Sequence, residues 1–332
     1  MKGEWAARLF IIILTLGATA GVGWIALRAN PGSEPRTIDV HGRIAETGGW
    51  TPDQITMQAD ETVLLHLTSD DVMHGFAIGQ QDQPSVDVLP GQPTEVSLTF
   101  DRPGKYTYYC TRWCGPNHWR MRGTITVEGS ATSEPPPDAP LYQELGIDLD
   151  APHPAAVTPS VRPSAERGRA LQIVVPPDLT SREFVWSHSP ASVWLQLRSL
   201  RITRGLSDSE VWDLVASVWQ SQTSSQQIEA GQSLFAANCA ACHGEQGRGD
   251  GVMAGSLDPA QSAGPGASTR RPAVLADEAS LLGASPALLE GKILRGGMGT
   301  GMPYWGPIFT LEQIDDLVRY LYSLHFVLEA ET

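Results

Sequence analysis

The chain has 332 residues, 41% of them hydrophobic, a net charge of −14 and only four cysteines. That length accommodates two or three domains, and an acidic chain without a run of basic residues is not expected to bind nucleic acid. Only the N-terminal 36 residues carry more Lys and Arg than Asp and Glu.

Between Leu9 and Leu27 the run "LFIIILTLGATAGVGWIAL" holds no charge, which approaches the ~20 residues a helix needs to span a bilayer. Lys2 and Arg8 precede it, so residues 1–36 read as a single-pass anchor in lipid with the remainder on the outer, extracytoplasmic side. The alternative is a signal peptide cleaved after Ala18-Thr19-Ala20. Apolar residues continue past that point to Leu27, which favours an uncleaved helix, and both readings export the rest of the chain.

Residues 37–130 read as a small all-β sandwich. "TVLLHLTS" (62–69), "HGFAIG" (74–79), "PTEVSLTF" (93–100), "KYTYYC" (105–110) and "GTITVEG" (123–129) are short and rich in β-branched and aromatic residues. Turn signals such as Pro90-Gly91 and Pro103-Gly104 separate them. The Pro-rich "SEPPPDAPL" (133–141) ends this pattern. Beyond it the text is helical: "SDSEVWDLVASVWQ" (207–220) and "TLEQIDDLVRYLYSL" (310–324) each open on a Ser or Thr cap and show helical apolar spacing.

These two helices belong to an apparent internal repeat. "SPASVWLQL" from Ser189 is answered by "SPALLEGKI" from Ser285, and Asp213-Leu214-Val215 by Asp316-Leu317-Val318, in the same order. The second copy is longer between its two blocks, where "GGMGTGMPYWG" lies. Residues 131–224 are therefore read as a linker and a degenerate copy, and residues 225–332 as the intact copy.

The intact copy contains "CAACH", Cys239 to His243. C-x-x-C-H is a c-type haem attachment signature. Cys239 and Cys242 reach two vinyl groups on one porphyrin edge, and the adjacent His243 turns onto the iron. The adjacent histidine and the expected export argue against a redox dithiol or half a zinc site. Met298 and Met302 are the candidates for the sixth ligand. Met302 is preferred because Met-Pro before "YWG" holds the chain extended, and His/Met ligation suits electron transfer. Residues 226–328 resemble a class I cytochrome c. Residues 140–224 resemble the same fold without cysteine or methionine, hence without haem.

"CTRWCGPNHWRM", residues 110–121, holds the other two cysteines. A Cys110–Cys114 disulfide is open to an exported chain but leaves His118 and Met121 unexplained. Zinc accepts Cys and His, whereas soft sulfur donors including a thioether select copper. Two thiolates can bridge two copper ions, each of which then needs a histidine. His74 in "DVMHGFAI" is the favoured second one, with His41 and His66 as alternatives. C-x3-C-x3-H-x2-M after a strand opening on Val-x-His resembles the CuA domain of cytochrome c oxidase subunit II, and also that of nitrous oxide reductase. The resemblance implies a binuclear copper centre held by His74, Cys110, Cys114, His118, Met121 and the carbonyl of Arg112. It implies a rigid site whose geometry changes little on reduction. The chain departs from the family at Arg112, where a Glu is usual, at Gln92, where an Arg follows Pro-Gly, and in having one anchor helix instead of two.

An anchor, an all-β CuA cupredoxin sandwich and all-α cytochrome c-like domains together resemble the oxidase subunit II that carries its own cytochrome. This implies an electron-transfer subunit, non-catalytic within a cytochrome-c oxidase complex. It would take electrons from an upstream cytochrome c or quinol-oxidising complex, pass them from haem to CuA, and deliver them to subunit I, the haem–copper catalytic subunit that reduces oxygen. A free-standing anchored redox carrier, or the donor arm of a nitric or nitrous oxide reductase, stays open. No nucleophile, triad or open metal site for substrate chemistry is visible. Arg112, Arg120 and Arg122 lie in or beside the copper motif, so a basic rim steering an acidic cytochrome is a further expectation.

Overall fold

The computed structural model describes residues 35–81, 83–115, 117–129, 139–257, 271–297 and 301–328. The expected membrane-spanning run 9–27 and Met298 lie outside the described residues. Among the described residues no helix is long and apolar enough to cross a membrane.

The N-terminal half is a cupredoxin-like β sandwich. Its strands are β1 (Arg36–Gly42), β2 (Trp50–Thr51), β3 (Gln54–Gln58), β4 (Thr62–Ser69), β5 (His74–Ile78), β6 (Val86–Val88), β7 (Thr94–Thr99), β8 (Gly104–Tyr109) and β9 (Arg122–Glu128). One sheet runs β2-β1-β4-β7 and the other β3-β9-β8-β5-β6. In β4 every second side chain is buried, the period-2 alternation of a strand with one face on a core. Val40, Leu65, Leu67, Phe76, Tyr108 and Ile125 fill the space between the sheets. β1, β2, β3 and β6 are additions to the strands expected from sequence. β1 pairs in parallel with β4, and β3 in parallel with β9, so these pairings join segments distant in sequence and no hairpin signal marks them.

β8 and β9 form the antiparallel pair that presents the copper motif. Tyr109 and Arg122 are its last cross-strand partners, and the Cys110 amide donates to the Met121 carbonyl at 3.1 Å. The loop from Cys110 to Met121 is therefore closed at its base by the sheet ladder.

The remaining chain is helical: α1 (Leu141–Glu144), α2 (Ala165–Ala170), α3 (Arg182–Ser187), α4 (Pro190–Ser199), α5 (Asp208–Gln220), α6 (Ser225–Asn238), α7 (Ala240–His243), α8 (Glu278–Leu281), α9 (Pro286–Arg295) and α10 (Leu311–Ser323). Both helices expected from capping signals begin where the caps lie. Ser207 and Thr310 each close a reciprocal capping box, with Glu210 and Gln313 respectively, satisfying amides that the first turn leaves unpaired. Ser189 and Ser285 each cap a helix with Pro at its first position.

Two helix crossings share one construction. A Cβ placed on Gly168 of α2 would lie 2.0 Å from the Asp213 carbonyl oxygen of α5, and one on Gly231 of α6 would lie 2.0 Å from the Asp316 carbonyl oxygen of α10. Each glycine lets a backbone touch the helix that crosses it. The residues touched are the same aspartates that the sequence repeat pairs. The two helical segments also share one apolar core, which includes Trp186, Trp212, Trp219, Phe235, Leu317 and Tyr322. Arg319 of α10 is nearly fully buried and reaches the Gln222 carbonyl, Thr223 Oγ1 and Asp315, under the Trp186 ring.

Candidate functional site

Four of the five expected copper-donor side chains, Cys110, Cys114, His118 and Met121, come from one loop, and the fifth, His74, comes from β5. His74, Cys110 and Met121 are buried, and Cys114 and His118 are half-buried. His74 Nδ1 lies 3.8 Å from Cys110 Sγ, Cys110 Sγ lies 3.9 Å from Cys114 Sγ, and Cys114 Sγ lies 3.5 Å from His118 Nδ1 and 3.8 Å from Met121 Sδ. The Arg112 carbonyl oxygen lies 3.2 Å from Cys110 Sγ. All four cysteines are free thiols, so the disulfide alternative is not realised.

Local structure explains this convergence. Asn117 adopts the left-handed conformation at φ 54° and opens the short 3-10 turn His118–Arg120, a backbone state that asparagine tolerates better than most residues. The turn puts His118 and Met121 on the side of the loop facing the thiols. Gly75 allows the loop to approach β5: an added Cβ there would meet Thr111 Oγ1 at 2.1 Å and the Arg112 amide nitrogen at 3.2 Å. The Gly75 amide donates to Cys110 Sγ at 3.5 Å. Trp50, buried, packs its ring 5.9 Å from that of His74 and closes the site from the other sheet.

Asp71, which sequence reasoning missed, orients His74. Its Oδ1 accepts from His74 Nε2 at 2.8 Å, which leaves Nδ1 turned toward Cys110. A metal-binding histidine whose second nitrogen is fixed by a carboxylate is a recurrent arrangement, and an acid three residues before the histidine was the available signal. Against the cost of its own burial, the Ile44 and Val72 amides and the His74 ring hold the Asp71 carboxyl below its usual range. Burial works against a charged His74 imidazole, but its bonds with Cys110 and Asp71 outweigh this and leave it raised. The two thiols act as a pair: the hydrogen bond between them draws Cys110 down and pushes Cys114 up. The donor set of two sulfur anions, two imidazoles, a thioether and a carbonyl fits copper. His41 and His66 do not join it. His41 pairs with Asp70 at 2.9 Å, and His66 lies between Asp39 and Glu95 on the outer face of β4.

In the helical half, α6 ends at Cys239 and α7 carries Ala240 to His243. His243 Nδ1 donates to the Ala273 carbonyl at 2.9 Å, which leaves Nε2 available. Burial keeps this imidazole neutral by lowering its pKa, and pushes the Cys239 thiol up to about 12. Met302 packs on the same apolar cluster as Cys239. A neutral, backbone-anchored histidine, two cysteines and a thioether around apolar surface fit a covalent haem. His325 is buried and bonds the Leu275 carbonyl at 2.8 Å, a structural role.

The expected basic rim is not formed. The Arg112 side chain pairs with Asp87 of its own domain at 2.7 Å, and Arg122 is turned into the contact with the cytochrome half; Arg120 is exposed. Strand pairing decides this, since Arg122 belongs to β9 and its side chain follows the face of Tyr109.

Residues 50–129 match the family model for the periplasmic domain of cytochrome C oxidase subunit II, and residues 228–325 match that of cytochrome c. Each match covers less than a third of the chain, so one part is similar to a subunit II periplasmic domain and another to a cytochrome c, and the chain spans only a little over half the length of the curated subunit 2 that follows. Cytochrome c oxidase subunit 2 of Thermus thermophilus is 39% identical over 80 residues, covering 24% of this chain and 58% of that protein. Nitrous-oxide reductase of Stutzerimonas stutzeri is 29% identical over 79 residues, covering 23% of this chain and 12% of that protein. Among solved structures, the periplasmic domain of cytochrome oxidase subunit II of Bradyrhizobium japonicum aligns with a TM-score of 0.25 at 18% identity, over 29% of this chain and 86% of that one.

Proposed function

We propose that this chain is a membrane-anchored electron-transfer subunit that relays electrons from a covalent haem to a binuclear copper centre and on to a haem–copper catalytic subunit reducing oxygen. The observation that carries the reading is the convergence of His74, Cys110, Cys114, His118, Met121 and the Arg112 carbonyl on one small volume. Two cysteine sulfurs 3.9 Å apart, each beside a different histidine, would hold the copper between them. Cys239, Cys242, His243 and Met302 would hold the haem. When bound, these groups each supply a one-electron couple.

The chain's own residues restrain both sites. Asp71 and Ala273 fix the two histidines whose free nitrogens face the metals. Gly75 donates to a sulfur anion, which stabilises the charged thiolate. Trp50 and the buried Met121 keep water from the copper pocket. Such restraint leaves little room for rearrangement between oxidation states. Residues 139–224 act as a haemless copy that buttresses the cytochrome half through the shared core; the matched crossings at Gly168 and Gly231 support this, and buried tryptophans occupy its interior.

Metal analysis and mass spectrometry of the purified full chain should give two copper ions and one covalent haem. Zinc in place of copper, or haem at a second site, refutes the assignment. One observation favours the alternative acceptor. Where the oxidase family has a Glu, this chain has a cation, the Arg112 side chain, tied to Asp87 of its own domain. Co-purification with a nitrogen-oxide reductase instead of an oxygen-reducing subunit would select that reading.

A further inference from the structure

The copper and cytochrome halves meet through a small set of contacts that neither motif requires. Arg122 Nη1 donates to the Tyr304 carbonyl at 2.9 Å, and its guanidinium lies 5.2 Å from the ring centres of both Tyr304 and Trp305. Beside it, the Gln80 amide donates to the Ile308 carbonyl at 2.8 Å and Gln80 Nε2 to the Gly306 carbonyl at 2.6 Å. Tyr109, the cross-strand partner of Arg122, packs on the apolar core of the helical half. Gly79 makes the approach possible: an added Cβ would lie 2.3 Å from the Pro307 carbonyl oxygen, a backbone atom that cannot swing aside.

The placement is specific. Arg122 follows Met121, a copper donor, and Tyr304 follows Met302-Pro303, the proposed haem donor arm. A single hydrogen bond is the one non-covalent step between the two methionines along this route. Half of the guanidinium is left without a conventional partner, since Nη2 is buried and unbonded among the described residues. A half-buried cation with one carbonyl and two ring faces is costly on its own. It is offset here by cation–π contact with the buried Trp305 ring and the more exposed Tyr304 ring and by a charge-assisted bond.

We propose that Arg122 is a positioning residue that clamps the Met302 arm onto the end of the copper loop, so that electrons cross between the halves through one fixed contact and not through repeated docking. The inference rests on the functional reading above. The step it serves moves one electron, lost by the reduced haem and gained by the oxidised copper centre, with no bond made or broken. It replaces a charge-steered encounter with a rigid seam built from one cation, two rings and three backbone carbonyls.

The test uses the full chain with both cofactors and compares wild type with Arg122→Gln, Gly79→Ala and, as a control that removes an exposed charge from the same loop, Arg120→Gln. Hydrogen exchange at the Gln80 amide reads the seam directly. Flash-photolysis rates from haem to copper, measured against solvent viscosity, read its consequence. In wild type and Arg120→Gln the Gln80 amide should be protected and the rate independent of viscosity and salt. Arg122→Gln and Gly79→Ala should each lower protection by roughly 10- to 100-fold, the weight of a charged hydrogen bond with its ring contacts, and should make the rate viscosity-dependent. Their copper and haem spectra should stay as in wild type, which separates loss of positioning from loss of a site. Unchanged protection and rate in both variants overturn the clamp. If the chain proves to lack copper or haem, the functional reading fails, while Gln80 exchange still decides whether Arg122 holds the seam.

Discussion

Replacing Gly168 by alanine puts one methyl group into the α2–α5 crossing, where it would meet the Asp213 carbonyl oxygen at 2.0 Å, its carbon at 2.6 Å and Ser217 Cβ at 3.0 Å. Two of these atoms are backbone, so α2 must move as a unit. Overpacking of this kind costs about 1–3 kcal/mol, while alanine's better helix propensity returns about 0.5–1 kcal/mol. The expected net loss is about 1–2 kcal/mol, or a fall in Tm of about 2–8 °C for a cooperative unit of this size. Gly231→Ala meets the Asp316 carbonyl oxygen at the same distance and should lose a similar amount. Gly205→Ala, with no atom within 4 Å of its added Cβ, should melt at or above the wild-type temperature. Thermal unfolding of the haem-loaded chain followed by far-UV circular dichroism measures all three. A Gly168→Ala protein as stable as Gly205→Ala would show that α2 and α5 do not cross at that glycine, and the reading of residues 139–224 as a haemless copy would lose its main support.

Met302→Ala should abolish the low-spin His/Met absorption spectrum of the haem and Met298→Ala should preserve it; the reverse pattern would identify Met298 as the ligand. Cys114→Ser removes one of the two sulfurs proposed to hold copper and should lower copper content below the proposed two ions per chain, read by metal analysis, while covalent haem stays at the proposed one. Asp316 has a buried oxygen without a partner among the described residues, and burial followed by repulsion from Asp315 raises its carboxyl to about 6. A raised folded-state value means the stabilising form is the protonated one. Its contribution is full below the ordinary value of 3.8, declines as pH rises, and is lost above about 6. Asp316→Asn should therefore stabilise the chain at pH 7–8 by up to about 1 kcal/mol, after allowance for solvent screening of a partly exposed group, and should flatten the Tm profile between pH 4 and 7. Equal Tm values for both proteins at pH 8 would refute the assignment.

Both chemical motifs were legible in the sequence because each is local. In C-x3-C-x3-H-x2-M and C-x-x-C-H the donors lie within a turn or two of one another, so their spacing alone brings them to one face. The strands at 62–69, 74–79, 93–100, 105–110 and 123–129 were legible for the same reason: alternation is a property of the segment. So were the two capped helices, whose boxes involve residues three positions apart. His74 needed more than spacing. The family resemblance selected it over His41 and His66, and only the pairing of β5 with β8 shows why it alone reaches the thiols.

What the tertiary structure decided is what depends on distant segments meeting. β1 and β3 pair in parallel with β4 and β9, and parallel partners carry no turn between them to announce the pairing. Asp71, Trp50 and Ala273 acquire their roles only when the loop folds over the sheet and the haem helix lies against the 271–275 segment. Arg122 changed its meaning most. In the sequence it is one of three basic residues near copper and reads as part of a solvated rim. In the fold, the register of β8 with β9 sets it beside Tyr109, and Gly79 lets the Tyr304–Ile308 backbone come close enough to cover it. Charge counting could not foresee this, because whether an arginine faces water or a ring depends on which surface arrives to bury it.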